Sequence, residues 1–171
     1  MQNLGIIIGR FSPLHIGHIS LVNYSLKNHD KTIVIIGSAE KIDKNNPYSY
    51  NERNDIIKKE FDANIILDYL NDYEKDENWI GALNSVIKKY STKEDNLYFL
   101  GGDLKNDFAI KVIKEHIQEL DFNTISFIEK PRQEIPISAT KIRNLLKEKN
   151  YDETEKWLSE KTVDLIIKKI V

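Results

Sequence analysis

The chain has 171 residues, a formal net charge of −2, 40% hydrophobic and 30% charged residues, and no cysteine. This composition is typical of a globular domain, and it excludes intrinsic disorder, disulfides and thiolate metal sites. A nearly neutral balance predicts no general attraction to nucleic acid or to an anionic membrane, so a phosphate site must be built from a local cluster of cations. We expect one domain over residues 1–171.

No apolar run comes near the roughly 20 residues that a bilayer-spanning helix requires. The first residues, MQNLGIII, carry no basic region and lead directly into a strand-like segment, which is not typical of a signal peptide. The expected location is the cytoplasm, with no membrane partner and no nucleic-acid partner.

Short β-branched runs alternate along the chain with longer amphipathic stretches. The near-continuous apolar runs predict strands that are covered on both faces, as in a parallel sheet. These strands are expected at residues 4–8, 32–37, 64–69, 96–101 and 124–129. Helical spacing of the apolar side chains predicts helices at 16–27, 51–61, 79–90, 106–120 and 138–149, and at 151–170 in one or two pieces.

This alternation predicts an α/β fold of the doubly wound, Rossmann-like type. The fold has a parallel five-stranded sheet, helices on both faces and a helical C-terminus. Ligands of such sheets bind beyond the carboxyl ends of the strands, where the strand order reverses. One site should therefore be faced by the loops after residues 8, 37, 69, 101 and 129.

The stretch GRFSPLHIGH, residues 9–18, follows the first predicted strand and opens the first predicted helix. Gly9 permits a ligand to approach the backbone closely. His15 and His18 are three residues apart and share one face of a helical first turn, whose N–H groups and positive dipole favour an anion. With Arg10 just before the turn, the combination predicts a polyanion site, although each residue alone is also compatible with a capping or solvated role.

The same two histidines could instead hold zinc, but a zinc site needs a third or a fourth ligand. The chain has no cysteine, and His29 and His116 lie in segments without a matching pattern. We therefore predict no metal-ligating residues in the protein.

A second motif, ISATKIR at residues 137–143, marks another helix start. Ser138 is a natural N-cap, and Ser138 and Thr140 present hydroxyl and amide groups there. Lys141 and Arg143 place positive charge in the first two turns, where it opposes the helix dipole unless an anion lies between them. Such a helix start is common by itself, but together with the first motif it predicts two sides of one phosphate site.

Two other segments carry weaker signals. Residues 37–57 begin with a long polar loop, and a loop of this length is usually functional or mobile. The loop leads into a helix with Arg53 in its first turn. Lys41 and Lys44 in this stretch are either solvated or in contact with ligand. Trp79, near a helix start, is either a core aromatic or a ligand contact.

The sequence LGGD, residues 100–103, closes the fourth predicted strand. Its paired glycines would let a flat ligand approach the backbone. Asp103 could then fix a hydroxyl or an amino group of that ligand.

The pattern G-R-F-x-P-x-H-x-G-H, combined with I-S-x-T-x-I-R, resembles the nucleotidylyltransferase superfamily. The resemblance is strongest to archaeal-type nicotinamide-mononucleotide (NMN) adenylyltransferases, which also form the front half of bifunctional Nudix proteins. Arg10, the IGSA after the second strand, NPYSYNER and Trp79 support this narrower match, which covers essentially the whole chain. HIGH also occurs in class I aminoacyl-tRNA synthetases, but those chains are far longer and carry a KMSKS-like loop that is missing here.

The resemblance implies that the phosphate of NMN attacks the α-phosphate of ATP, giving NAD and pyrophosphate, with Mg²⁺ arriving on ATP. It implies that the catalytic residues are Arg10, His15, His18 and Arg143. It implies that ATP is bound by Gly9, Phe11, Gly101, Asp103, Ile137, Ser138 and Thr140. It implies that NMN is bound by Arg53, Asn78 and Trp79, with the indole stacked on the cationic nicotinamide ring. A homo-oligomer is expected, because relatives of this type often form symmetric assemblies.

The chain departs from the family pattern at two places. The turn 101–103 is Gly-Gly-Asp, where relatives carry a TGN-like or a glycine–histidine turn, and this leaves the adenosine contacts there open. Ser12 stands in RFSPLH, where RFQPFH is common. Other acceptors for the same transfer are nicotinate mononucleotide, phosphopantetheine and FMN. A non-catalytic nucleotide sensor is a further alternative, against which the intact His15, His18 and Arg143 argue.

Overall fold

The computed structural model describes residues 1–130 and 134–169. Five strands form one parallel sheet: β1 (Asn3–Gly9), β2 (Lys31–Ile36), β3 (Ile66–Tyr69), β4 (Asn96–Gly101) and β5 (Thr124–Glu129). Their order is β3-β2-β1-β4-β5, and every neighbouring pair is parallel. The predicted sheet is confirmed. β3 begins two residues later than the prediction of 64–69, because Asp62–Asn64 form a 3-10 turn.

In the part of the chain that the structure describes, seven α-helices connect and follow the strands. They are α1 (Ile16–Asn28), α2 (Tyr50–Phe61), α3 (Asp76–Lys88), α4 (Phe108–Glu115), α5 (Ala139–Lys147), α6 (Tyr151–Glu155) and α7 (Val163–Lys168). α4 is shorter than the predicted 106–120, because Asp107 caps its start and a 3-10 turn at Ile117–Glu119 replaces its end. α3 begins three residues before the predicted 79, which puts Trp79 inside its first turn. Among the described residues, no helix is long and apolar enough to cross a membrane.

The helices cover both faces of the sheet, as the predicted doubly wound fold requires. Successive side chains of a strand point to opposite faces, so Ile6 and Ile7 belong to different hydrophobic clusters. One cluster includes side chains of α1, α2, α5 and α7, and the other includes side chains of α3 and α4. Both layers are built mainly from buried aliphatic residues, which explains why the strands appear in the sequence as continuous apolar runs.

The strand order reverses between β1 and β4, which lie side by side at the centre of the sheet. The chain leaves β1 toward β2 on one side and leaves β4 toward β5 on the other. Diverging loops of this kind open a crevice at the carboxyl edge of the sheet. The motif at residues 9–18 follows β1 and therefore lies at this point.

Candidate active site

A cleft of about 850 Å³ opens at the carboxyl edge of the sheet. Its walls include residues from the loops after all five strands, namely Arg10, Ser38, Asp72, Gly102 and Lys130. The prediction that these five loops face one site is confirmed. Both sequence motifs reach the cleft, since residues 9–12, 15, 17 and 18 of the first and residues 137–140 and 143 of the second lie on its wall.

His15 and His18 form a stacked pair at the start of α1. Their ring centroids are 3.7 Å apart and the rings are 25° from parallel. His15 is the N-cap of the helix: its Nδ1 accepts a hydrogen bond from the backbone N–H of Gly17 at 3.1 Å. The Nδ1 of His18 accepts in turn from the backbone N–H of His15 at 3.3 Å. Each imidazole is therefore held in place by the helix terminus itself.

These hydrogen bonds assign the tautomer of both rings. A neutral imidazole carries one proton, and the nitrogen that accepts a hydrogen bond cannot be the protonated one. Since Nδ1 is the acceptor in both His15 and His18, the proton lies on Nε2. Two N–H donors on stacked rings in the cleft wall suit the oxygen atoms of a phosphate.

The residues around the histidines give this turn its shape. Phe11 is buried and lies in the left-handed region with φ of 51°, and its ring meets His18 edge-on with centroids 4.9 Å apart. A Cβ at Gly9 would lie 3.2 Å from the Phe11 ring, so glycine lets the ring pack close to the backbone. The first N–H of α1, on Ile16, donates to the carbonyl of Trp157 at 3.0 Å, which ties the turn to the C-terminal helices.

The second motif starts α5 on the other side of the histidines. Ser138 caps this helix, because its Oγ accepts from the backbone N–H of Lys141 at 3.2 Å. Arg143 is anchored at two points: Nη1 donates to the carbonyl of Ser12 at 2.9 Å, and Nη2 donates to Oγ1 of Thr140 at 3.1 Å. Lys141 instead lies over the ring of Trp157, 4.9 Å from its centroid.

Two arginines, Arg10 and Arg143, line the cleft, and a third, Arg53, is buried outside its wall. Burial lowers the pKa of Arg143 from its ordinary value, and the charge of Arg10 adds to this effect. The same two causes lower the pKa of Arg53. Arg53 and Arg143 stay charged at neutral pH in spite of these shifts, since arginine is not deprotonated in proteins. The repulsion that each of them experiences from Arg10 would be relieved by a bound polyanion.

Arg53 does not line the cleft, so this structure gives no support to its predicted contact with NMN. The side chain is fully buried, and the five N–H donors of its guanidinium group are all used in hydrogen bonds of 2.8–3.4 Å. The acceptors are the backbone carbonyls of Arg10, Gly37, Ser38, Ala39 and Ser49. Arg53 therefore binds the loops after β1 and β2 to each other from behind the site.

Of the other two residues that were predicted to bind NMN, one lines the cleft and the other does not. Trp79 lies on the cleft wall and is half-buried, with its ring also packed on the core beneath α3. Asn78, one residue earlier in the same turn, is exposed and does not belong to the wall. Neighbouring residues of a helix point 100° apart, so only one of the two faces the cleft.

At the turn after β4, the cleft wall includes one residue, and it is neither of the two that were predicted to bind ATP. Gly102 lies on the cleft wall, whereas Gly101 and Asp103 do not. A Cβ at Gly101 would lie 2.8 Å from the side chain of Leu104, so this glycine serves the packing of the turn. Asp103 accepts from the amide groups of Asn106 at 2.9 and 3.3 Å. The prediction that Gly101 and Asp103 touch ATP is not supported by this geometry.

The structure also places residues in the wall that the sequence did not single out, above all Ser38 and Asp72. Asp72 forms an ion pair with Lys41 and accepts from Oγ of Ser38 at 2.9 Å. Burial opposes ionisation of Asp72, but the hydrogen bonds from Lys41 and Ser38 lower its pKa overall. The only sequence signal was the length of the polar loop containing Lys41, because the partner carboxylate lies 31 residues further along the chain.

Within residues 1–130 and 134–169, one group of potential metal-ligating side chains has ligand atoms that all lie within 4.8 Å of one another. It consists of Asp76, Glu115 and His116. His15 and His18 are not part of it. Nδ1 of His116 lies 2.9 Å from Oε1 of Glu119, and this carboxylate raises the pKa of His116.

A family model described as cytidylyltransferase-like matches residues 6–145. The chain belongs to the cytidylyltransferase-like family. The match contains both motifs of this cytidylyltransferase-like chain, residues 9–18 and 137–143, together with β2 to β5 and the last four residues of β1.

Several proteins are similar to this cytidylyltransferase-like chain. The nicotinamide-nucleotide adenylyltransferase of Thermoplasma volcanium is 26% identical over 100 residues, which are 56% of this chain and 56% of that protein. The enzyme of the same name from Methanococcus maripaludis is 27% identical over 143 residues, which are 80% of this chain and 74% of that protein.

A solved structure shares the fold. It is a bifunctional NMN adenylyltransferase/ADP ribose pyrophosphatase from Francisella tularensis, complexed with AMP and a manganese ion, with 21% identity and a TM-score of 0.74. The superposition covers 98% of this cytidylyltransferase-like chain and 49% of that one. The chain thus spans about half the length of the Thermoplasma relative and of the Francisella protein.

Proposed function

We propose that the protein is an adenylyltransferase that joins NMN and ATP to give NAD and pyrophosphate. The observation that carries this proposal is the stacked pair of His15 and His18 facing the anchored Arg143 in one cleft. The pair lies at the start of α1, just beyond the end of the central strand β1. The cleft around it has wall residues from the loops after β2 and β3 on one side and after β4 and β5 on the other. This arrangement suits a dinucleotide product with its pyrophosphate in the centre.

The comparisons support the choice of acceptor. Both curated relatives described above are nicotinamide-nucleotide adenylyltransferases, and the Francisella protein was solved with AMP. The indole of Trp79 lies on the wall of the cleft. An indole face attracts a cationic ring, and the pyridinium ring of NMN is one.

The reaction needs little covalent chemistry from the protein. An oxygen of the NMN phosphate bonds to the α-phosphorus of ATP, and the bond from that phosphorus to the bridging oxygen breaks. The electron pair leaves with pyrophosphate, and no proton has to be moved. The protein therefore acts by positioning the two phosphates and by stabilising the charge that builds up between them.

We assign this work to four side chains. The Nε2–H groups of His15 and His18 donate to the phosphates of ATP and to the charge growing on the α-phosphate. Arg143 holds the leaving pyrophosphate from the α5 side, and Arg10 holds the phosphate that is transferred. The backbone and hydroxyl groups of Ser138 and Thr140, at the start of α5, bind the end of the triphosphate.

A divalent ion would enter with the triphosphate. Mg²⁺ prefers oxygen ligands and keeps much of its water, so the phosphates would supply most of its shell. The carboxylate of Asp76 lies on the cleft wall and suits contact with that shell. The ion would neutralise charge on the pyrophosphate. A single catalytic domain, a cytoplasmic location and a homo-oligomeric assembly stay predictions.

The test is incubation of the purified protein with ATP, Mg²⁺ and NMN, followed by chromatography for NAD. We expect NAD and pyrophosphate in equal amounts, and no product with the His18→Ala variant as the matched control. Nicotinate mononucleotide, phosphopantetheine and FMN are tested in parallel as acceptors. Faster turnover of any of these would reassign the substrate, and ATP binding without any transfer would indicate a nucleotide sensor.

A further inference from the structure

Phe108 is the first residue of α4, and its side chain is 73% exposed. It also lies on the wall of the cleft, next in sequence to wall residues Asp107 and Ala109. Tyr69 and Ile42, which are also large and exposed, lie outside that wall. A phenyl ring is thus held in water at the edge of a site for polar ligands.

Stability of the fold does not explain this phenyl ring. Phe108 belongs to neither hydrophobic cluster, and the core contacts of α4 are made by Ile110, Val112 and Ile113. The start of the helix is capped by Asp107, whose Oδ1 accepts from the N–H of Ile110 at 3.1 Å. An aromatic residue with no packing or capping role on a ligand cleft points to a contact with ligand.

The position of Phe108 in the cleft indicates which of the two substrates it contacts. Trp79 follows β3, whereas Phe108 follows β4, which lies on the other side of β1 in the sheet. If the acceptor ring lies by Trp79 and the phosphates lie by His15 and His18, the base of the nucleoside triphosphate extends toward β4 and β5. The wall there also includes Gly102 after β4 and Ile135, so it combines a flat backbone turn with apolar side chains.

We propose that Phe108 is the stacking surface for the base of the nucleoside triphosphate, and that it favours a purine over a pyrimidine. The inference rests on the proposed function, which supplies the nucleoside triphosphate. Aromatic side chains stack on any base, but the overlap with the two fused rings of a purine is larger. Phe108 is therefore a specificity-determining residue in a family whose description refers to cytidylyl transfer.

The test compares three substitutions at this position by titration calorimetry with ATP and with CTP. Phe108→Ala should weaken ATP binding about tenfold and CTP binding about twofold, whereas Phe108→Tyr should stay within about twofold of wild type. Phe108→Leu keeps apolar surface but has no ring, so it should behave like Phe108→Ala. Tyr69→Ala, at an exposed aromatic outside the cleft, is the matched control and should not change either affinity.

Steady-state kinetics provide the second measurement, with an increased KM for ATP, an unchanged KM for NMN and little change in kcat. Unchanged ATP affinity in Phe108→Ala, equal losses for ATP and CTP, or wild-type behaviour of Phe108→Leu would each overturn the inference. Thermal unfolding checks that the variants are folded, as expected for an exposed side chain. If wild type binds ATP but makes no NAD, the proposed function fails while the affinities still decide the role of Phe108.

Discussion

Arg143 donates a hydrogen bond to the backbone carbonyl of Ser12 at 2.9 Å, across 131 residues of sequence. Its other terminal nitrogen donates to Thr140 within its own helix. The guanidinium group is thus oriented jointly by residues 9–18 and 137–143, the two motifs to which we assign phosphate binding. The first motif holds Arg143 of the second motif in position, so neither motif forms a complete site alone.

Replacing Arg143 by lysine tests this anchoring. Lysine keeps the charge, but a single ammonium group cannot hold Ser12 and Thr140 and also present a fork of donors to phosphate. We expect Arg143→Lys to lower kcat/KM by about 100-fold, which is the scale for losing one oriented donor at a developing charge. Lys141→Arg is the control, because Lys141 lies over Trp157 on the same helix. Retention of most activity by Arg143→Lys would show that charge alone suffices.

The capping role of His15 and its proposed role as a donor to phosphate can be tested separately, by substituting asparagine or alanine. Asparagine is a good N-cap, so His15→Asn should keep the stability of α1, whereas His15→Ala should cost about 1 kcal/mol of unfolding free energy. Both variants lose the imidazole donor, and kcat should fall by about 100-fold or more in each. Urea denaturation and initial rates measure the two effects, with His29→Asn as the control outside the cleft. An active His15→Asn enzyme would assign His15 to capping only.

Arg53 should control activity without touching ligand. Arg53→Met would leave several buried backbone carbonyls without donors, and we expect a loss of about 3 kcal/mol in unfolding free energy. The loops that carry Arg10 and Ser38 would lose their common anchor, so KM for both substrates should rise in the variant that still folds. Lys59→Met, at an exposed position of the same helix, is the control. A variant with wild-type stability would contradict the role of Arg53 as an anchor.

Asp68, in the edge strand β3, should make the free energy of unfolding depend on pH. Burial opposes its ionisation, but hydrogen bonds from the Tyr90 hydroxyl, the Tyr69 N–H and Lys89 lower its pKa below the ordinary 3.8. Because the folded pKa is the lower one, this stabilisation is present above the unfolded value and is lost as pH falls through the folded value.

The corresponding variant is Asp68→Asn. At pH 7 it should cost about 2 kcal/mol of unfolding free energy, the scale for hydrogen bonds to a charged group. The difference from wild type should shrink as the pH is lowered past 3.8, because wild-type Asp68 then becomes protonated. Urea denaturation at several pH values measures it. A difference that does not depend on pH would show that the carboxylate charge contributes nothing.

The strands and the two motifs could be predicted because their signals are local. A strand buried on both faces must be a short apolar run, whatever its partners are. The helix caps at His15 and Ser138 are completed by backbone groups two or three residues away. A glycine, a cap and a cation at fixed spacing therefore indicate a phosphate site before the fold is known.

The element boundaries were less well predicted. α3 begins at Asp76 without a side-chain cap on Lys75, so no capping residue marked its start. The helical pattern over 151–170 predicts one or two helices. The structure, which describes the chain up to residue 169, has two helices, α6 and α7, with residues 156–162 between them. Local patterns indicate that a helix forms, but packing against neighbours sets where it begins and ends.

The sequence by itself determined the class of the fold and the position of the two motifs at one cleft beyond the end of β1, and it predicted which of their residues bind phosphate. Only the tertiary structure decided that Arg53 anchors loops, that Gly102 lines the cleft in place of Gly101, and that Phe108 stands exposed on its wall. The physical reason is the range of the interactions involved. Periodicity and capping act over a few residues, whereas the acceptors of Arg53 lie up to 43 residues away and converge only when the strands assemble in the order β3-β2-β1-β4-β5.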